Sequence, residues 1–273
     1  MADHRISSLG PFMRVGVVGC GRVGRTVVFA IDSGRVHADL AAICDTNADR
    51  VQDLIFQLKR PTRSMSLHGL VASVDLMIEA TNRHVAPAII MAALDGGKDV
   101  LVTSTAAILA RDDFARIAND RGLTIFAANT LLTGVDALNA APAAAARVTL
   151  TITCPPVVLE DAPFLRGREL KATERPQIVF QGDASDALAA FPALANIIAA
   201  ATIGAGGAEL LVRIRAHHNT DVTEIELVAA TEKQRTEERA RVAVAGREPV
   251  DPESVGLLAI GFLRSLVSSV RLV

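Results

Sequence analysis

Short apolar runs recur through the first half of the chain, at residues 15–18, 40–44, 74–80, 99–104 and 123–128. Between them lie segments whose apolar residues return at helical spacing, among them 85–94 and 111–121. The runs are rich in Val, Ile and Leu, as strands buried on both faces require. Turn chemistry marks the joints. Thr46-Asn47 supplies a polar cap before a helical stretch, and Gly96-Gly97 and Gly122 stop the helices that precede them. Strands alternating with helices at this spacing predict a parallel sheet with helices on both sides.

After Asp136 the pattern changes. Residues 148–154 alternate, with Val148, Leu150 and Ile152 set against Thr149, Thr151 and Thr153, which predicts a half-buried strand. Residues 178–180, 210–215, 222–229 and 239–245 read as further strands. Residues 185–201 read as helical with an interruption near Pro192, and the charge run from Glu232 to Arg241 reads as a solvated hairpin. Asp251-Pro252-Glu253-Ser254 caps a last apolar helix, 255–270. The expected fold class is therefore α/β: a Rossmann-type doubly wound parallel sheet plus a second α+β domain with a mostly antiparallel sheet. The expected boundaries are a tail at 1–12, a dinucleotide-binding domain at 13–135, a substrate and dimerisation domain at 136–250, and a C-terminal helix at 251–273 that packs back on the first domain.

Composition narrows the function classes. With 273 residues the chain can bury two cores, and a net charge of −2 creates no field for nucleic acid or an anionic membrane. Nine Phe with no Trp or Tyr leave little for base stacking. Cys20, Cys44 and Cys154 are odd in number and far apart, which suits reduced thiols in a cytoplasmic protein and suggests neither a disulfide framework nor a metal site. Residues 187–208 carry no charge and are long enough to span a bilayer. Their Ala and Gly content, with Pro192, Asn196 and Thr202, favours a buried helix.

The chemistry concentrates at Gly19-Cys20-Gly21-Arg22-Val23-Gly24, a G-x-G-x-x-G loop that follows a strand and opens a helix. Gly19 permits the tight turn, Gly21 lets backbone approach a pyrophosphate, and Gly24 lets helix and strand pack closely. The second strand ends at Asp45, 21 residues after Gly24, where a carboxylate accepts from the adenosine ribose hydroxyls. A carboxylate there repels a 2′-phosphate, so NAD is expected, with NADP as the alternative. Ligands bind outside the carboxyl ends of such strands. That makes Thr46, Ala80, Thr81, Asn82, Thr103 and Ser104 cofactor-facing candidates. Asn129 and Thr130 are candidates for substrate contact, and His84 for a catalytic or substrate role.

Further motifs resemble the L-aspartate dehydrogenase family. Asn129-Thr130-Leu131-Leu132-Thr133-Gly134-Val135-Asp136 is similar to that family's S-G-A-x-G-G-x-D loop, and Thr153-Cys154-Pro155-Pro156 to its K-P-P. Val179-Phe180-Gln181-Gly182, with Ala184, Ala187, Phe191-Pro192 and Asn196, resembles F-x-G-x-A-x-x-A-x-x-F-P-x-N. Asp251-Pro252-Glu253-Ser254 stands where the family has N-P-K-T-S. The resemblance implies a homodimer that moves hydride between nicotinamide and the Cα of aspartate, through iminosuccinate. The family's A-D-P-x-x-x-x-N-x-H, whose histidine is the proposed acid/base, corresponds to Ile214 through Glu224, and its histidine falls on Thr223 or Glu224. The lysines of K-P-P and N-P-K-T-S fall on Cys154 and Glu253. His217 and His218 in the adjacent turn are then candidate acid/base groups, or solvated turn residues. Glu224 is a candidate substrate contact, and Arg213 and Arg215 are candidate replacements for the lost cations. Two other readings remain: a dinucleotide-binding paralogue without catalysis, and an enzyme like homoserine dehydrogenase.

Overall fold

The computed structural model describes residues 13–128, 147–168, 170, 173–230, 235–244 and 246–268. The chain divides into two compact units, one made of Met1–Ala128 with Glu253–Val273, the other of Asn129–Pro252.

The first unit is built on six strands: β1 (Arg14–Val18), β2 (Asp39–Cys44), β3 (Arg63–Ser64), β4 (Leu76–Glu79), β5 (Asp99–Val102) and β6 (Ile125–Ala127). They lie in the order 3-2-1-4-5-6, and every neighbouring pair is parallel. The connecting helices are α1 (Arg22–Asp32), α2 (Ala48–Phe56), α3 (Leu67–Ser73), α4 (Ala86–Asp95) and α5 (Phe114–Asp120). Successive residues of a strand feed opposite cores. Ile78 packs with Val17, Val27 and Ile31 on one side of the sheet, while its neighbour Met77 packs with Leu70, Ile90 and Val102 on the other. The strand order reverses between β1 and β4, and ligands bind at such a switch point, outside the carboxyl ends of the strands.

The second unit contains β7 (Arg147–Cys154), α6 (Pro156–Leu159), β8 (Gln177–Asp183), α7 (Ala184–Ala190), α8 (Ala195–Ala205), β9 (Glu209–Ala216), β10 (Val222–Ala230) and β11 (Arg235–Ala243). Its sheet runs 11-10-7-9-8 and is antiparallel except for the parallel pair β7–β9. Burial alternates along β9 and β10, so Leu210, Val212, Ile214, Ile225 and Leu227 share a core face with Leu150 and Ile152. Helices α7 and α8 pack against this sheet. The Asp183 carboxylate accepts from the Asp186 N–H to start α7, and Gly206 in the left-handed region ends α8. A final helix, α9 (Pro252–Val267), belongs to the first unit, where Ala259, Ile260 and Leu263 join the core beside Val27 and Ile31. A Cβ on Gly256 would come within 2.7 Å of Thr26 side-chain atoms, so a glycine is what lets α9 approach α1.

Among the described residues no single helix is long and apolar enough to cross a membrane. The α7 segment and residues 192–205 together have sufficient length and apolarity, but they are bent by 118°.

Four elements depart from expectation. β3 and α3 were not anticipated, because a two-residue edge strand and a seven-residue helix leave too short a pattern. β8 is seven residues long instead of three, since a register shift between Ile178 and Phe180 breaks its alternation. The charge run is the solvated hairpin arm expected of it, but its strand starts at Arg235 instead of Arg239: residues 235–243 pair with the whole of β10, and Arg239 reaches across to Glu226 at 3.0 Å. Charges suit an edge strand, where they discourage pairing with another chain.

Candidate active site

The loop between β1 and α1 has the shape its glycines demand. Gly19 holds φ at +107°, and a Cβ there would lie 2.2 Å from the Ala80 carbonyl oxygen. A Cβ on Gly24 would lie 1.9 Å from the Gly19 carbonyl oxygen. A Cβ on Gly21 would meet nothing within 4 Å, so open space stands beside the loop where backbone can approach a ligand. Gly21 caps α1 without a side-chain hydrogen bond, and the first turn carries no acid. The first turn of the helix therefore sets no carboxylate of its own against an anion at this N-terminus. Arg22 is exposed there, and Val23 packs against the core.

Asp45 ties this loop to β2. Its Oδ2 accepts from the Cys20 N–H at 2.6 Å and its Oδ1 from the Asn47 N–H at 2.8 Å, while the Gly19 N–H donates to the Cys44 carbonyl at 2.7 Å. Each carboxylate oxygen keeps acceptor capacity for a ribose hydroxyl. Thr46 is exposed beside it. Burial, and then the neighbouring Asp45 charge, push the Cys20 thiol up to about 12, which leaves it neutral.

Sequence reasoning passed over Glu79, the last residue of β4. It is fully buried, and its carboxylate accepts four hydrogen bonds. Oε1 takes the Thr81 N–H at 2.7 Å, the Thr81 hydroxyl at 2.7 Å and the Ser104 hydroxyl at 3.0 Å, and Oε2 takes the Ser104 N–H at 2.9 Å. The Thr103 N–H donates to the Glu79 carbonyl and the Ala80 N–H to that of Val18. Thr105, also fully buried, donates its hydroxyl to the Ala128 carbonyl at 3.0 Å. The carboxyl ends of β4, β5 and β6 are thus laced together. The available signal was an acid closing an apolar run, Leu76-Met77-Ile78-Glu79.

Asn82 and His84 follow in the turn before α4. The Asn82 Oδ1 accepts from the N–H groups of His84 and Val85 at 3.0 and 3.3 Å, so its side chain shapes that turn. His84 is exposed, and its Nε2 accepts from Arg83. A surface groove of about 590 Å3 runs along α3, from Leu67 and His68 to Val71 and Ala72, and meets the end of α4 at Asp95 and Gly96.

In the second unit, the His217 N–H donates to the Cys154 carbonyl at 2.9 Å, which joins the turn after β9 to the end of β7. Among the described residues, the buried Nδ1 of His218 has no hydrogen-bond partner, nor has the buried hydroxyl of Thr223 at the start of β10. Thr223 lies on the core face. Glu224 lies on the opposite face, in register with Thr153 on β7 and Arg241 on β11. Arg213 and Arg215 share that polar face from β9, and the Arg213 Nε donates to Gln181 at 2.9 Å. Burial pushes the Cys154 thiol up to about 12, so the side chain at this position is neutral. Asn129 and Thr130 lie outside the described residues. Among the described residues no cluster of His, Cys, Asp or Glu is arranged to hold a metal ion.

Comparison with known proteins agrees with this architecture. Residues 19–126 match a family model described as homoserine dehydrogenase, NAD binding domain, and residues 136–269 match one described as aspartate dehydrogenase, C-terminal. The L-aspartate dehydrogenase of Methanosarcina barkeri is 31% identical over 268 residues, 95% of this chain and 99% of its own. The chain belongs to the L-aspartate dehydrogenase family. The Methanosarcina acetivorans relative of the same name is 36% identical over 202 residues, covering 71% of this chain and 74% of its own. The crystal structure of the Thermotoga maritima aspartate dehydrogenase shares the fold, with a TM-score of 0.70 at 16% identity, over 96% of this chain and 99% of that one. The protein is thus an NAD(P)-dependent oxidoreductase of this family. Its dinucleotide loop fits the cofactor: Gly21 faces open space, α1 begins without an acid, and Asp45 is anchored beside the loop at the end of β2.

Proposed function

We propose that the protein catalyses the reversible oxidative deamination of L-aspartate or a closely related amino acid, with NAD preferred over NADP. Support comes from the Methanosarcina barkeri relative, which aligns over nearly the whole of both chains. When bound, the nicotinamide supplies hydride transfer. The chain's own residues must hold the cofactor, orient the substrate and move one proton. Asp45 carries the preference for NAD, because a 2′-phosphate beside its carboxylate is repelled.

His218 is our candidate for the proton-moving group, with His217 and His84 as the other imidazoles to be tested. What supports His218 is its Nδ1, which has no hydrogen-bond partner among the described residues. In this reading Asn129, Thr130 and Glu224 contact substrate. The assay is NADH oxidation with oxaloacetate and ammonia at mildly alkaline pH. Turnover is expected, and His218→Ala should lower kcat at least about tenfold, some 1.4 kcal/mol of transition-state stabilisation. A kcat unchanged in His218→Ala, with His217→Ala or His84→Ala reducing it, would reassign the role. NADH binding with no turnover on oxaloacetate or related 2-oxo acids would favour the non-catalytic reading. NADPH binding as tightly as NADH would remove the role given to Asp45.

We further propose a cytoplasmic homodimer. The free thiols Cys20, Cys44 and Cys154 suit a reducing compartment. For the interface we favour the polar face of the second sheet. β7 is the central strand, with Glu224 and Glu226 in register beside it on β10 and Arg215 and Arg213 at the same levels on β9. A two-fold axis parallel to β7 sets the acids of one protomer over the arginines of its partner. An axis across the strands sets acid on acid instead.

A further inference from the structure

The floor beneath the nicotinamide half of the cofactor has a polarity of its own, and Glu79 sets it. The sheet order places the adenosine side over β2, at Asp45, and the pyrophosphate beside the β1–α1 loop. The rest of the dinucleotide then extends over β4 and β5. The two regions differ in kind. Beside β1 a helix N-terminus without a cap or an acid favours phosphate oxygens. Above β4 and β5 the backbone donors turn inward: the N–H groups of Ala80, Thr81, Thr103 and Ser104 are all spent on Val18 and Glu79. The hydroxyls of Thr81 and Ser104 have one proton each, and both are given to Glu79 Oε1. What remains for a ligand is the lone pairs of two hydroxyl oxygens.

We propose that Glu79 is a positioning residue for the cofactor: by holding both hydroxyl protons, it fixes Thr81 and Ser104 as acceptors for the hydrogen-bond donors of the nicotinamide half, its carboxamide NH2 and ribose hydroxyls. A carboxylate has acceptor sites only, and here all of the neighbouring donors are matched to it. An amide in its place cannot do the same. Gln at position 79 turns a donor either toward the three donors at Oε1, which releases both hydroxyls, or toward the Ser104 N–H, which repels Ser104 and loosens its hydroxyl's hold on Oε1. A released hydroxyl can swing its proton toward the ligand and present a donor where an acceptor is needed.

The proposal rests on the dinucleotide reading of the first unit, so its test begins with the wild-type protein. NADH and ADP are titrated by fluorescence and calorimetry against the full-length chain and Glu79→Gln. ADP carries the adenosine ribose and pyrophosphate and lacks the nicotinamide half. The expected result is an NADH Kd raised about tenfold or more, with the ADP Kd within about twofold of wild type. The KM for NADH should rise with it, while kcat at saturating NADH stays within about threefold. Thr81→Val and Ser104→Ala should each weaken NADH and spare ADP. Adding Glu79→Gln to the Thr81→Val/Ser104→Ala protein should cost little more, because the three residues act as one unit. Equal losses for NADH and ADP in Glu79→Gln would make the residue a purely structural tie and overturn the proposal. So would unchanged NADH binding in both hydroxyl variants, a result that stands even if Glu79→Gln does not fold. Failure of the wild-type protein to bind either ligand would overturn the dinucleotide reading itself.

Discussion

Gly24 shows how narrowly a single residue can be determined. The space for a side chain is already taken by the Gly19 carbonyl, 1.9 Å from where a Cβ would sit. Gly24→Ala should therefore weaken NADH binding at least about tenfold, because helix and loop must separate to admit one methyl group. Gly21→Ala is the control: it meets open space, so its thermal unfolding should match wild type while NADH binding falls, because the methyl occupies the ligand's side. A differential scan beside an NADH titration separates the two. The glycine loop and Asp45 were legible in the sequence because their geometry is local and depends on spacing. Glu79 was not, because what makes it matter is the return of Ser104 from the neighbouring strand. The thiols make a second test at this scale. Cys154 is fully buried and pushed up to about 12, so iodoacetamide should label it at pH 8 only after denaturant is added. A thiol pKa raised by folding contributes stability below the unfolded-state value, about 8.5 to 9, and loses it as pH rises toward 12. Cys154→Val should thus flatten part of the fall in Tm above pH 9.

At the scale of elements, periodicity was a good guide wherever burial was complete or alternated cleanly. β4 is buried at each of its four positions, and β10 alternates over nine residues. Both stand close to where the sequence pattern sets them. The failures share one cause: β3, α3, β8 and β11 are short or edge elements, in which burial sets little of the pattern. The last helix offers the sharpest test. Leu263 is fully buried in the core beside Val27 and Ile31. Leu263→Ala should cost about 2–5 kcal/mol and lower Tm by about 5–15 °C. Gly256→Val should lower Tm as well, by prising α9 off Thr26. At the other end of the same unit, Asp75 receives the Arg14 guanidinium and N–H, and this hydrogen bonding holds its carboxyl below the usual range. That contribution is present at neutral pH and fades as pH falls through the depressed value. Asp75→Asn should lower Tm at pH 7 and leave it unchanged in strong acid.

At the scale of the whole molecule, charge reversal tests the proposed interface. If the two-fold axis runs along β7, Arg213→Glu should shift the protein toward monomer in light scattering after size exclusion, and the Arg213→Glu/Glu226→Arg pair should restore the dimer. An elution unchanged by Arg213→Glu would place the interface elsewhere. The fold class was legible because strand and helix alternate before Asp136 and strands dominate after it. The parallel neighbours β7 and β9 were not, since everything from α6 to α8 lies between them in the chain. The chain's path through its two units has one more consequence, for the order in which the protein is made. The helix that completes the dinucleotide-binding unit is encoded after the whole of the other unit. As synthesis proceeds, the six-stranded sheet emerges early with Val27 and Ile31 still lacking the cover of Ala259, Ile260 and Leu263. A ribosome-bound intermediate thus carries an exposed apolar patch until the final turns leave the exit tunnel. A chain truncated before Pro252 should be a good client for chaperones and should gain in solubility when residues 252–273 are supplied as a separate peptide.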